Sequence, residues 1–263
     1  MFWEKEEKEF LLKHYGKLAP ADIAKKLNRT VKSVGLKAYY LGVTNKYEYK
    51  NHKHSYDVSF FEKWSNNLAW LVGIMLSDGY ISNESIKTRF IRIKMCDKDV
   101  IYKIKKIVRY SSNIYMYKPS NGNKTSYSIT LCGEVIWQFF NSMGMDSNKS
   151  YNAHIPVNIP KEYFSHFLRG VFDGDGSIII NKDKYLAARI CGTKRVVEFI
   201  REYLSINSTI HSNKSDTNFI VQYTGSDALQ FLGFIYKNSI KNNRMNRKYK
   251  KYLEFKDNGP ISS

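Results

Sequence analysis

The chain has 263 residues, of which 43% are hydrophobic and 15% aromatic, so it is long enough to bury a core as one large domain or two unequal ones. It carries 42 lysines and arginines against 24 aspartates and glutamates, a formal net charge of +18. This charge predicts a polyanionic partner, with nucleic acid favoured over a membrane surface. No apolar run approaches the roughly 20 residues that span a bilayer, and three widely spaced cysteines argue against disulfides or a zinc cage. We therefore expect a cytoplasmic protein.

Residues 1–43 are predicted to form three short helices. Hydrophobic residues recur there at helical spacing between polar positions. The helices are expected from about Glu4 to His14, from Pro20 to Leu27, and from an N-cap at Thr30 to a stop at Gly42. Residues 44–66 are polar and aromatic without a clear period, which predicts a linker.

A repeat dominates the sequence from residue 67 onward. The segment LVGIMLSDG at 71–79 recurs as LRGVFDGDG at 168–176, an offset of 97 residues. Each copy is followed by a β-like run, at 89–96 or 185–192, and then by a helical run that begins at Asp97 or Thr193. The remaining strands are predicted at 113–117 and 126–131, and at 209–213 and 219–224, before closing helices entered at Gly133 and Gly225. The sequence thus predicts an α+β protein with two tandem αββαββα units, at 67–150 and 151–263.

Each repeated segment is predicted to be an apolar helix that ends in an aspartate followed by glycine. The small residues Gly73 and Gly170 permit two such helices to pack closely, which would bring Asp78 and Asp175 side by side. Crowded carboxylates raise each other's pKa unless a cation lies between them. Oxygen ligands with open water positions suit Mg²⁺, and metal ions beside a phosphodiester activate water and stabilise the leaving oxygen. The pattern therefore points to phosphodiester hydrolysis.

At these residues the chain resembles the LAGLIDADG homing endonucleases, over about residues 67–253. The second motif, within HFLRGVFDGDGSI, matches the family closely, whereas the first has Leu76 where the family usually has an acidic residue. The resemblance implies a pseudo-symmetric monomer whose strands form a saddle on a long, asymmetric double-stranded DNA site. It also implies Mg²⁺, for which Mn²⁺ can substitute, held by Asp78 and Asp175 with the backbone carbonyls of Ser77 and Gly174. Asp173 has no acidic counterpart in the first motif, so we expect it to have a structural or accessory role.

The resemblance extends to two basic segments. GMDSNKS at 144–150 and NRMNRKYKKY at 243–252 look like elements in which the family places a lysine near each metal. Lys149 and Lys248 are therefore expected to stabilise phosphate charge or polarise water, with Arg247 as an alternative to Lys248.

DNA contacts are expected from the strands and from the C-terminal segment. In the family, antiparallel strands meet the major groove, and alternation along a strand sends every second side chain toward the bases. In the run 89–96, Ile91, Ile93 and Met95 would then face the helices. The residues predicted to contact bases or phosphates are Arg92, Lys94, Ser128, Thr130, Arg189, Gln222 and Thr224, and in the basic segment Lys241, Arg244 and Arg247. A register error of one residue would invert the strand residues in this set.

The N-terminal unit resembles helix-turn-helix or Myb-like modules through IAKKLNRTVKSVGLKAYYLG, which is similar to their second and third helices. The resemblance implies that the third helix reads DNA through Lys32, Ser33, Lys37 and Tyr40. A protein-docking role for this unit is the alternative.

Three other functions occur on LAGLIDADG folds. An intein is not expected here, because protein splicing needs a Cys or Ser nucleophile at the start and a C-terminal His-Asn, whereas this sequence begins Met1-Phe2 and ends Ile261-Ser262-Ser263. Some members are intron maturases that assist RNA splicing, and some are regulators that bind DNA without cutting it. A non-cleaving binder is expected to lose one or both terminal aspartates, and this sequence keeps both. Maturase activity stays open, because one basic scaffold could serve both tasks.

Overall fold

The computed structural model describes residues 3–41, 43, 56–83, 89–120, 122–146, 153–156, 158–181, 185–213 and 217–258. The chain divides into two compact units, Met1–Lys53 and His54–Ser263, and each has its own hydrophobic core. Lys149 lies outside the described residues, as do the side chains of Lys32 and Tyr40. No helix within the described ranges is both long and apolar enough to cross a membrane.

The smaller unit contains three helices, α1 at Lys5–His14, α2 at Pro20–Lys26 and α3 at Val31–Tyr40. The predicted N-cap of α3 is present, because the hydroxyl of Thr30 accepts a hydrogen bond from the backbone N–H of Ser33 at 3.1 Å. The guanidinium of Arg29, in the turn before α3, donates two hydrogen bonds to the Glu7 carboxylate, at 2.8 and 2.9 Å. This bidentate pair ties the turn to α1. The helices therefore lie where the hydrophobic periodicity predicts them.

The larger unit consists of two copies of one arrangement, and within the described residues each copy contains a four-stranded antiparallel sheet. The first copy comprises α4 (Asn66–Asp78), β1 (Gly79–Ile81), β2 (Phe90–Met95), α5 (Lys98–Ile107), β3 (Tyr115–Tyr117), β4 (Ser126–Cys132) and α6 (Glu134–Ser142). The second copy comprises α7 (Phe164–Asp175), β5 (Gly176–Ile180), β6 (Leu186–Gly192), α8 (Lys194–Leu204), β7 (Thr209–Ser212), β8 (Phe219–Thr224) and α9 (Gly225–Tyr236). A last helix, α10 (Asn246–Asn258), follows. The predicted α+β class with two αββαββα repeats is confirmed.

Sheet order and register are the same in the two copies. The strands are arranged β1-β2-β4-β3 in the first sheet and β5-β6-β8-β7 in the second. Tyr80 lies opposite Arg92 in the first sheet, and Ser177 lies opposite Arg189 in the second. The offset of 97 residues between the motifs therefore also holds for the two strands that follow each motif.

Burial in β2 alternates as predicted. Ile91, Ile93 and Met95 are buried, while Arg92 and Lys94 are exposed. The buried side chains face the helices, since α5 packs on the same side of the sheet through Val100, Ile101 and Ile104, all of them buried. Their counterparts in α8, Val196, Val197 and Ile200, are buried in the same way.

The segment before α4 belongs to the larger unit. A 3₁₀ helix at Val58–Phe61 begins at Asp57, whose carboxylate accepts a hydrogen bond from the backbone N–H of Ser59 at 3.1 Å. Phe61 is buried in the core of the larger unit. Of the predicted linker at 44–66, the described residues from 56 onward are therefore packed, and residues 44–55 lie outside the described part.

Candidate functional site at the ends of two packed helices

The two motif helices, α4 and α7, cross at a pair of glycines. A Cβ atom added to Gly170 would lie 2.1 Å from the carbonyl oxygen of Trp70, and one added to Gly73 would lie 2.1 Å from the carbonyl oxygen of Phe167. These distances are far shorter than any van der Waals contact, so only glycine fits at either position. The helix backbones therefore touch without intervening side chains.

This close crossing brings the C-terminal ends of the helices together. A Cβ atom on Gly174 would lie 2.8 Å from the Oδ2 atom of Asp78 and 2.0 Å from the Oγ atom of Ser77. The Asp78 carboxylate thus lies against the residue that immediately precedes Asp175. Asp78 is half-buried and Asp175 is exposed. Both aspartates end their helices, and each is followed directly by a strand.

The two helix ends differ at one equivalent position. Ser77 in α4 corresponds to Gly174 in α7, and the serine hydroxyl donates to backbone carbonyls of its own helix, those of Gly73 at 3.2 Å and Ile74 at 3.1 Å. The serine side chain occupies the space that a side chain at Gly174 would need. The first motif can therefore carry a serine at this position because the second motif has a glycine, Gly174, opposite it.

Asp173 is a buried carboxylate at the contact between the two halves. Its Oδ2 atom accepts hydrogen bonds from the indole N–H of Trp70 at 2.8 Å and from the backbone N–H of Met245 at 2.9 Å. Burial raises the pKa of Asp173 to about 6, against the opposing effect of the Trp70 hydrogen bond. Its counterpart in the first repeat, Leu76, is a buried apolar residue. Asp173 therefore joins α4, α7 and the chain before α10.

Lys248 lies at the C-terminal end of α7. Its ammonium group is buried and donates to the carbonyl oxygens of Phe172 at 2.6 Å and Asp173 at 2.7 Å, with that of Gly174 at 3.4 Å. Burial lowers the pKa of Lys248 to about 8, opposed by the nearby Asp173 carboxylate. A cation at this end of a helix satisfies terminal carbonyls and complements the helix dipole. Lys248, which is predicted to stabilise phosphate charge or polarise water, thus also holds the end of the motif helix.

A second buried polar group lies in the middle of α7. The Arg169 guanidinium is fully buried and donates to the carbonyl oxygens of Asn243 at 2.6 Å and Ile235 at 2.7 Å, and its Nη2 atom lies 2.6 Å from the Nδ1 atom of His166. Arginine has no acceptor, so His166 accepts through Nδ1 and its imidazole is neutral. Burial, reinforced by Arg169, lowers the pKa of His166 to about 4. Sequence reasoning missed this group, because its partners are far apart along the chain.

We expect His166 to make the protein less stable as the pH falls. Its pKa is about 4 in the folded state against an ordinary value of 6.5, so between these values the unfolded chain binds a proton that the folded chain does not. The lost stability reaches about 3 kcal/mol at pH 4 relative to pH 7. His166→Asn, whose amide oxygen can replace Nδ1 as the acceptor, should lack this loss in urea titrations.

The pH dependence of the unfolding free energy must be compared between wild type and variant. Asp173 titrates in the same pH range, and its effect on stability has the opposite sign. Its pKa is raised to about 6 in the fold, so its contribution to stability rises as the pH falls. An identical pH dependence of unfolding for wild type and His166→Asn would contradict the prediction.

Two arginines that are predicted to contact DNA occupy equivalent positions in the two sheets. Arg92 pairs across the strands with Thr130, and its Nε atom donates to the threonine hydroxyl at 3.2 Å. Arg189 pairs with Gln222 in the same way, with its Nε atom donating to the amide oxygen. Lys94 is exposed and lies 5.3 Å from the ring centroid of Tyr117. These arginines are thus oriented by a polar neighbour on the adjacent strand.

Other predicted contact residues are less accessible. Ser128, opposite Lys94, is 8% exposed, and Thr224 is half-buried where β8 passes into α9. Arg247 donates to both carboxylate oxygens of Asp97, at 2.6 and 3.0 Å. Arg244 donates to the carbonyl and hydroxyl oxygens of Ser239, and its guanidinium stacks 3.5 Å from the ring centroid of Tyr249. These two arginines are held by the protein itself, whereas Lys241 is exposed.

Similar solved structures identify the fold. The structure of the LAGLIDADG homing endonuclease I-LtrWI bound to target DNA aligns with 76% of this chain and 91% of its own, with a TM-score of 0.52 and 14% identity. That of a mutant of I-SmaMI aligns with 73% of this chain and 90% of its own, with a TM-score of 0.50 and 13% identity. The two-repeat fold of this chain is therefore the LAGLIDADG homing endonuclease fold.

Two curated proteins of Methanocaldococcus jannaschii are similar in sequence. The DNA-directed RNA polymerase subunit Rpo1C is 26% identical over 139 residues, which are 52% of this chain and 15% of that subunit. The uncharacterized protein MJ1054 is 25% identical over 211 residues, which are 73% of this chain and 23% of that protein. The chain thus spans less than a quarter of the length of either relative. No protein-family model matches the sequence.

Proposed function

We propose that this protein is a site-specific DNA endonuclease that hydrolyses one phosphodiester bond in each strand of a duplex, using divalent metal ions bound at Asp78 and Asp175. The observation that carries the proposal is the glycine crossing of α4 and α7, which sets the Asp78 carboxylate against the residue before Asp175. The LAGLIDADG fold and a net charge of +18 support it.

The residues at the helix ends fit a hard, oxygen-ligated metal ion. Across the described ranges, no group of three or more His, Cys, Asp or Glu side chains could hold a metal. Two carboxylates, assisted by the backbone carbonyls of Ser77 and Gly174, leave positions for water and for phosphate oxygens. Mg²⁺ typically binds in this way, and Mn²⁺ is expected to replace it. The bound metal would supply an activated water and stabilise the leaving oxygen.

The chain's own residues would act by holding the carboxylates in place. Lys248 fixes the last turn of α7 through two short hydrogen bonds to its carbonyls, and so limits the movement of Asp175. We propose that Lys248 acts in this manner and through its positive charge beside the phosphate. For Lys149, which lies outside the described residues, a contact with phosphate stays a prediction.

We infer that the exposed faces of the two sheets contact the duplex. Arg92 and Arg189 occupy equivalent positions, but Arg92 lies between Tyr80 and Thr130, whereas Arg189 lies between Ser177 and Gln222. Different side chains at equivalent positions would read different bases, since each base pair presents its own pattern in the major groove. This difference supports a target without two-fold symmetry. Because one chain supplies both aspartates, a monomer is sufficient.

For the N-terminal unit we propose a DNA-anchoring role, with Ser33 and Lys37 on α3 facing the duplex. Both side chains are half-buried in the free protein, and the unit has its own core. Deletion of residues 1–43 should weaken binding of the target by on the order of tenfold or more, through the lost local concentration. Cleavage at saturating protein should persist. Gel-shift and cleavage assays on the same duplex measure the two effects separately.

The proposal assigns affinity for the target to residues 1–43 and cleavage to the larger unit, and two results would count against it. If the deletion abolishes cleavage at saturating protein although the remaining chain is folded by circular dichroism, the unit is part of the nuclease itself. Unchanged affinity would favour protein docking instead.

The experiment that tests the proposed function is selection of cleaved sites from a random duplex library. We expect cleavage of a long, poorly palindromic site in Mg²⁺. In Ca²⁺, a larger ion with looser coordination, we expect binding with little cleavage. Selection of bound sites but no cleaved sites in either Mg²⁺ or Mn²⁺ would identify a non-cleaving binder.

A further inference from the structure

A basic cavity lies on the outer side of α5. It has a volume of about 660 Å³ and is formed by α5, the residues just after it, and the 3₁₀ helix at Lys241–Asn243. Its lining includes Tyr102, Lys103, Lys105, Lys106, Arg109 and Lys241. No acidic residue of the described chain belongs to the lining. The cavity is large enough for a nucleotide-sized ligand.

The cavity lies across the first sheet from the face proposed to contact the duplex. Helix α5 covers the inner side of β2 and β4 with Val100, Ile101 and Ile104. Arg92 and Lys94 project from the opposite side of β2. A ligand in the cavity would therefore leave the exposed sheet face free.

The second repeat keeps one of these cations, since Lys105 corresponds to Arg201, but it has no cation at the positions of Lys103, Lys106 and Arg109. The fold itself therefore does not require most of the positive charge in the cavity. Helix α8 occupies the equivalent position and buries equivalent apolar residues. Left-handed residues follow both helices, Arg109 with φ 50° and Ser205 with φ 51°, which aligns the two segments at an offset of 96. The outward residues then differ: Tyr102, Lys106 and Arg109 correspond to Glu198, Glu202 and Ser205.

The cations of the cavity are only partly neutralised by the protein. Lys103 uses its three donors on the Asp99 carboxylate, the Arg244 carbonyl and the Asn246 amide oxygen, at 2.9, 2.5 and 2.8 Å, so it forms part of the wall. Arg109 lies 3.3 Å from the Asp57 carboxylate. Lys105 donates to a single backbone carbonyl.

Lys106 and Lys241 differ from the other cations in the wall. Both are exposed, and neither has a hydrogen-bond or ion-pair partner among the described residues. Together with Lys105 they leave an excess of positive charge in a concave site. Such a site attracts an anion with more than one charged group.

Tyr102 adds an aromatic surface to this charge. Its side chain is 50% exposed, and the Lys98 ammonium lies 5.4 Å from its ring centroid. Cationic groups interleaved with an exposed aromatic ring are the chemistry that binds single-stranded nucleic acid, since phosphates pair with the cations and a base stacks on the ring. In a duplex the faces of the bases are stacked on one another. A duplex could therefore interact with the cations of the cavity but could not stack a base on Tyr102.

We propose that this cavity binds an unpaired nucleic acid strand, with its phosphates at Lys105, Lys106 and Lys241 and one base stacked on Tyr102. The site goes beyond the proposed endonuclease function and is separate from the ends of α4 and α7. It would let the protein hold a single strand while its sheets remain available to a duplex.

The test is fluorescence anisotropy of the full chain with labelled oligo-dT and oligo-U of about 12 nucleotides, within the usual site size for such strands. Tyr102→Leu should raise the Kd at least about fivefold, whereas Tyr102→Phe, which keeps the stacking surface, should leave it unchanged. Lys106→Glu should raise the Kd by about tenfold and make binding less dependent on salt. The matched charge reversal Arg195→Glu, at an exposed arginine of α8, should have much less effect.

Three outcomes would overturn the proposal: no binding of either strand, equal effects of Tyr102→Leu and Tyr102→Phe, or equal effects of Lys106→Glu and Arg195→Glu. Displacement of the strand by an unlabelled duplex of the same length would overturn the assignment to an unpaired strand. The tighter of the two oligonucleotides identifies the sugar that the site prefers. Because the assay requires no cleavage, its failure is distinguishable from failure of the endonuclease proposal.

Discussion

Asp78→Asn and Asp175→Asn should each abolish double-strand cleavage while binding of the same duplex is retained. Each substitution removes one of the two carboxylates at the crossed helix ends and preserves side-chain shape. Loss of several kcal/mol of transition-state stabilisation by metal corresponds to a rate reduction on the order of a thousandfold or more. Cleavage under single-turnover conditions in Mg²⁺ and a gel-shift assay in Ca²⁺ measure the two properties.

The buried Asp173 provides the control for this experiment. It lies in the same helix, but its Oδ2 atom is committed to Trp70 and Met245 inside the protein. Asp173→Asn should lower stability and retain some cleavage at a temperature where the variant is folded. If Asp78→Asn and Asp175→Asn both cut at the wild-type rate, the assignment of the metal site is wrong.

Gly170→Ala should destabilise the protein by about 3 kcal/mol or more, because the added methyl group would collide with the backbone of α4. The new Cβ atom would lie 2.1 Å from the carbonyl oxygen of Trp70, and backbone cannot move aside as a side chain can. The helices would have to separate, which would also part the two aspartates. Urea denaturation at constant m-value measures the stability, and cleavage at a temperature where the variant is folded measures the geometry.

Gly233→Ala is the matched control. Gly233 is also within a helix of the larger unit, but the nearest atom to an added Cβ is the Tyr252 hydroxyl oxygen at 3.9 Å. This substitution should be neutral or stabilise the protein by about 0.4–1 kcal/mol, because alanine restricts the unfolded chain. Equal stabilities of the two variants would mean that α4 and α7 do not cross at the glycines.

The repeat and the strand alternation could be predicted from the sequence because both depend on local pattern. The motif spacing located α4 and α7, and the alternation in β2 distinguished Arg92 and Lys94 from the buried isoleucines. The short strands β1 and β5 were not located, since they follow the motif helices without a turn residue between them.

The polar contacts of the site could not be predicted in the same way, because they join residues that are distant in sequence. Trp70 and Asp173 are 103 positions apart, and Arg247 and Asp97 are 150 apart. The basic segment at 243–252 marked Lys248 as important, but only the packing of α10 places its ammonium on the carbonyls of α7. The assignment of side chains to metal, phosphate and DNA remains a prediction to be tested.

The Trp70–Asp173 hydrogen bond bears on how this protein could be re-engineered. A homodimer built from two second halves would replace Trp70 by its counterpart, Phe167, which has no donor to offer. Each Asp173 would then lose a hydrogen bond in the interior, at a cost of about 1–3 kcal/mol per copy. A dimer of first halves would set Trp70 against Leu76 and leave two indole N–H groups unsatisfied. The polar contact between the two repeats is therefore satisfied only when a first repeat packs against a second repeat. A chimera that takes one repeat from another protein should exchange Trp70 and Asp173 together.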